Sequence, residues 1–114
     1  MSYSMNFSQI AQIGPPAPEQ IEVTVFGPSY GECIVLHVGS GQWVIVDSCQ
    51  KSGEPIALAY LNALEVNVEN AIKCIIVTHW HDDHCRGVSR IIQAAPQAHI
   101  CISLALVGRF SEFE

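Results

Sequence analysis

Basic side chains are scarce in this sequence: five Lys and Arg stand against eleven Asp and Glu, for a formal net charge of −6. That balance argues against a nucleic-acid partner held by bulk electrostatics, because such binding rests on many Lys and Arg contacts to phosphate. It leaves a phosphate-bearing substrate open, since a bound divalent ion would dominate the local field. Charged residues of either sign make up only 14% against 49% apolar, so a disordered chain is excluded and one domain with a modest core is expected. No apolar run is long enough to span a bilayer, and Met1–Gln20 carries neither a basic segment nor a continuous apolar one of the secretory type. The cysteines, Cys33, Cys49, Cys74, Cys85 and Cys101, are odd in number and show no CxxC spacing. A reducing, cytoplasmic setting is therefore expected. Cys33, Cys74 and Cys101 fall in apolar strand patterns and read as small buried residues. Cys85 reads as packing too, because a nucleophilic role needs a depressed pKa.

What the chain does have is one dense polar stretch, Thr78-His79-Trp80-His81-Asp82-Asp83-His84, with three histidines and two aspartates in six residues. A packed core has no use for such a cluster, and the alternative is a polar loop of solvated histidines. Imidazole and carboxylate together suit zinc, iron or manganese at a catalytic site. The preceding run, Ile72-Lys73-Cys74-Ile75-Ile76-Val77, is mostly apolar and β-branched and reads as a buried strand. The cluster then lies at the C-terminal end of a strand, where open α/β sheets place their chemistry. His79 and His81, two apart, point the same way in an extended segment and can reach one ion. Asp83 and His84 follow after a bend and can face a second.

The spacing of His79, His81, Asp83 and His84 resembles the signature of the metallo-β-lactamase superfamily. The resemblance implies that His79 and His81 serve one metal and Asp83 and His84 the other, with Asp83 also the candidate catalytic carboxylate. Asp82 and Trp80 occupy variable positions. The implied cofactor is Zn2+, two per complete site, with Fe or Mn as alternatives. The implied function is hydrolysis by metal-activated water attacking an ester-type bond in a small-molecule or phosphodiester substrate.

Upstream, Ile21–Phe26 alternates apolar and polar residues as a half-buried strand does. Glu32–Val38 reads as a second strand, Gly39–Gln42 as a hairpin connection and Trp43–Asp47 as a third strand, whose apolar continuity predicts burial on both faces. The passage from Val25 to Asp47 resembles the opening strands of the same family, which implies that Asp47 supports the metal loop from behind. The turn from Phe26 to Ile34 is most similar to the hydrolase domain of ComEC-type DNA-uptake proteins, which tilts the expected substrate toward phosphodiesters or nucleic acid. Where the family has Gly two residues after this Asp, the present chain has Cys49. His37 and His99 read as structural, and Arg86 as solvated.

Residues 1–19, broken by Gly14-Pro15-Pro16-Ala17-Pro18, are expected to form a flexible leader, and 20–114 a single domain. Pro55 is expected to open a packing helix that runs to about Val66, 67–70 to form a turn, a helix to begin after Gly87 and stop at Pro96, and a last strand to span 99–107. The fold class expected is α/β, and the family resemblance implies the N-terminal half of an αββα sandwich with a mixed sheet and helices on one face. The family's third histidine, bridging aspartate and last histidine find no match after His84. A second chain or a missing C-terminal half is therefore expected to complete the site. Two other readings stand beside the hydrolase: a single-iron dioxygenase of the same superfamily, and a non-catalytic metal-binding or interaction fragment.

Overall fold

Alternation of apolar residues at period two produces the central feature, a five-stranded mixed sheet in the order β1-β2-β3-β6-β7. The structure is a computed structural model and describes residues 14–27, 32–78 and 82–102, with backbone alone for 82–86. Strands β1 (Glu22–Phe26), β2 (Cys33–His37) and β3 (Trp43–Val46) pair antiparallel in sequence. The β2–β3 turn closes through Val38 N to Gln42 O at 2.9 Å, with Gly39, Ser40 and Gly41 all at positive φ. A short hairpin pairs β4 (Gln50–Lys51) with β5 (Glu54–Pro55) before the helix that follows. Helix α1 (Ile56–Ala63) and the single turn α2 (Val68–Ala71) then lead to β6 (Ile72–Val77), which pairs parallel to β3. Helix α3 (Asp82–Ala94) carries the chain back to β7 (His99–Ile102), parallel to β6.

The core lies on one face of this sheet. Val35, Trp43, Ile45, Ile72 and Ile75 pack there against Ala57, Tyr60, Leu61 and Leu64 of the α1 region and Ile91 and Ala95 of the α3 region. His37 is buried beside Trp43, its ring 4.9 Å away, and its Nδ1 lies 2.7 Å from the carbonyl oxygen of Gln20. It is structural, as the sequence predicts. Pro18 O accepts from Ser40 N at 2.7 Å, which ties the segment before β1 to the β2–β3 turn.

Three expectations need correction. Strand β3 is buried on one face only: Trp43 and Ile45 are buried, while Val44 and Val46 are half-buried. The helices cover one side of the sheet, so apolar continuity along β3 does not bring burial on both. Cys74 and Cys101 share that open side and are half-buried and exposed, not core residues. Finally, α3 starts at Asp82, not after Gly87. The acidic residues Asp82 and Asp83 occupy its first turn, where the helix dipole favours them. Their polarity, together with Gly87, hides the apolar period that marks the later turns. Among the described residues no helix is long and apolar enough to cross a membrane.

Candidate metal centre

Two parallel strands end side by side at the His-rich stretch. β3 ends at Val46, and the next residue, Asp47, donates its N–H to Ile76 O of β6 at 2.8 Å. The chain then turns through a left-handed conformation at Asp47, φ 59°. Asp tolerates this better than most residues because its short side chain bonds locally. The turn brings the buried Asp47 carboxylate to Thr78. Oδ1 accepts from Thr78 N at 2.7 Å, and Oδ2 accepts from the Thr78 hydroxyl in a short hydrogen bond. Thr78 is the last residue before His79, so the metal stretch starts from a fixed point.

The far end of the stretch is fixed as well. Asp83 and His84 fall in the first turn of α3, and Gly87 is its sixth residue. Gly87 is buried against Ser48, the neighbour of Asp47, so closely that a Cβ at Gly87 would lie 2.9 Å from Ser48 Cβ and collide with its hydroxyl oxygen. Ser48 Oγ is itself buried and has no hydrogen-bond partner among the described residues.

Cys49, the next residue of this loop, and Cys33 of β2 are both buried, with sulfurs 2.9 Å apart. The hydrogen bond to Cys49, reinforced by burial, pushes the Cys33 thiol up, and the same bond holds Cys49 below the ordinary thiol value. On the open face, burial raises Cys74, with Cys101 3.5 Å away adding to the shift.

The predicted ligands His79 and His81 lie outside the described residues, as do the side chains of Asp83 and His84. Among the described residues no group of three or more His, Cys, Asp or Glu is placed to hold a metal ion. The donor set of the stretch is nitrogen and carboxylate oxygen, which fits zinc, iron or manganese. Its placement fits too: both ends are held by one loop, and a buried carboxylate stands behind the first of them. Sequence reasoning identified Asp47 but missed Thr78, Ser48 and Gly87 as parts of this arrangement. A glycine inside an otherwise helical run was the available signal, since it disfavours the helix and usually has a packing reason.

A family model described as the metallo-beta-lactamase superfamily matches residues 26–109. The hydroxyacylglutathione hydrolase of Vibrio cholerae serotype O1, in each of two strains, is 37% identical over 49 residues, which is 43% of this chain and 18% of that protein. Among solved structures, metallo-beta-lactamase SMB-1 bound to 2-mercaptoethanesulfonate superimposes with a TM-score of 0.54 at 20% identity, over 84% of this chain and 35% of that one. The same enzyme with mercaptoacetic acid gives 0.54 at 22% identity and the same coverage. At these identities the likeness is one of fold. The chain spans about a third of the solved lactamases and aligns with under a fifth of the curated relatives.

Proposed function

The chain belongs to the metallo-beta-lactamase superfamily, and from that premise we propose that it carries the first half of a zinc-dependent hydrolase site. His79 and His81 hold one ion, and Asp83 and His84 hold a second. When bound, the metal supplies Lewis acidity, polarising the scissile bond and making water a nucleophile near neutral pH. The chain's own residues do the positioning. Asp47 accepts two hydrogen bonds from Thr78 and thereby sets where the ligand stretch leaves β6. This anchor is the observation that carries the proposal, because a buried carboxylate aimed at the first residue before a His-rich stretch orients ligands rather than filling a core. Asp83 lies in the first turn of α3, and its carboxylate is the proposed catalytic group beside its role as ligand.

The bond attacked is of the ester type. The curated relatives are named for hydroxyacylglutathione, and the opening turn of this chain resembles a DNA-uptake hydrolase domain, so an acylglutathione and a phosphodiester are the two substrates to test. The remaining ligands come from outside this chain, supplied by further sequence or a second subunit, and hydrolysis by the isolated chain is low.

Elemental analysis of the purified chain beside a His81→Ala variant tests the reading. Zinc should copurify with the wild type and be lost from the variant. Equal metal in both, or none in either, would reject the proposed ligand set. Iron in place of zinc, with oxygen consumption, would indicate the dioxygenase instead.

A further inference from the structure

The loop after β3 meets the chain at the start of the His-rich stretch and again three residues past its end, through two consecutive residues. Asp47 reaches Thr78, and Ser48 meets Gly87. The geometry points to the Ser48–Gly87 contact as a second positioning device of the metal centre, acting through α3 rather than on the ligands directly. This inference rests on the proposed metal site.

The physical argument is one of approach distance. Any side chain at Gly87 would place its Cβ against the Ser48 hydroxyl and within 2.9 Å of Ser48 Cβ, with Gln50 Cγ next at 3.4 Å. Ser48 is itself 1% exposed and follows a residue whose backbone is held to β6 and whose carboxylate is held to Thr78. It has little room to retreat. A Cβ at position 87 would therefore move the helix, not the loop. Gly87 lies four residues after Asp83 and three after His84, so the helix register transmits that displacement to both. The lack of a partner for Ser48 Oγ among the described residues fits the same view. Among those residues a small side chain and a close approach take precedence over a partner for the hydroxyl, an arrangement buried groups rarely adopt.

The test is zinc affinity of the full chain, measured by competition with a chromophoric chelator, in a cycle of Gly87→Ala, Ser48→Gly and the double variant. Gly87→Ala should weaken zinc binding by about tenfold or more, the scale on which outer contacts tune a metal site. Alanine is the better helix former, so a loss cannot come from helix propensity. The double variant removes both Ser48 atoms that the new Cβ would meet, and its affinity should return close to that of Ser48→Gly alone. Circular dichroism checks folding of each variant, and Ser48→Thr, which adds a methyl group to the same contact, should weaken zinc if Gly87→Ala does not fold. Zinc affinity unchanged in Gly87→Ala, or no recovery in the double variant, would overturn the positioning role and leave the metal site standing. A wild type that binds no zinc would sink the site and the positioning role together.

Discussion

Asp47 combines a left-handed backbone with a buried carboxylate that accepts from both the N–H and the hydroxyl of Thr78. Substitution by Asn separates these properties. Asn tolerates the same positive φ and keeps the shape, but offers one accepting oxygen where Asp offers two. Asp47→Asn should therefore fold, cost about 1–3 kcal/mol for a buried donor left unmade, and weaken zinc binding by about 10–100-fold. Urea unfolding and chelator competition read the two effects separately. Asp47→Ala should cost more, since it adds backbone strain at φ 59°. The sequence exposed Asp47 because an acidic residue ends an apolar strand. It did not expose Thr78 or Ser48, since their partners lie 31 and 39 positions away in the chain.

At the scale of elements, Tyr60 joins α1 to the edge strand β1. Its hydroxyl donates to Glu22 Oε1 at 2.8 Å, and its ring meets those of Phe26 at 5.4 Å and Trp43 at 6.4 Å. Burial, with Glu22 adding to it, raises the Tyr60 pKa above the ordinary 10.0. The sign follows from linkage: above about pH 10 the unfolded chain releases this proton and the folded chain keeps it, so stability falls as pH rises through the raised value. Tyr60→Phe should cost about 1 kcal/mol at neutral pH and flatten the alkaline loss. Thermal melts between pH 8 and 11, about the window in which tyrosine titrates, would show whether it does. Helix α1 was legible as a packing element from its apolar spacing. The start of α3 was not, because its first turn is built of the polar residues of the His-rich stretch.

For the whole molecule, the sheet has two unlike faces. Ile45 is fully buried on the helix side, whereas Val25, on the opposite side of β1 from Phe26, is 65% exposed. Across the open side run Val23, Leu36, Val44 and Cys74 in one row and Val25, Ile34, Val46 and Ile76 in the next. Ile45→Ala should destabilise by about 2–5 kcal/mol, and Val25→Thr by no more than about 0.5 kcal/mol. Equal losses in urea unfolding would mean that the open face is covered as tightly as the core. Sequence pattern could not separate these faces, because apolar residues recur on both.

The sequence by itself determined the five strands of the main sheet, the order in which they are met, and the His-rich stretch that follows β6. These follow from local rules, the period of two and the chemistry of clustered imidazole and carboxylate, which need no knowledge of distant contacts. Only the tertiary structure decided which strand face is covered, that α3 begins within the His-rich stretch, and that one loop contacts the chain both at Thr78 and at Gly87. Each of these depends on residues far apart in the chain meeting at a fixed distance. The absence of a Cβ at Gly87 acquires its meaning only when Ser48 stands opposite it.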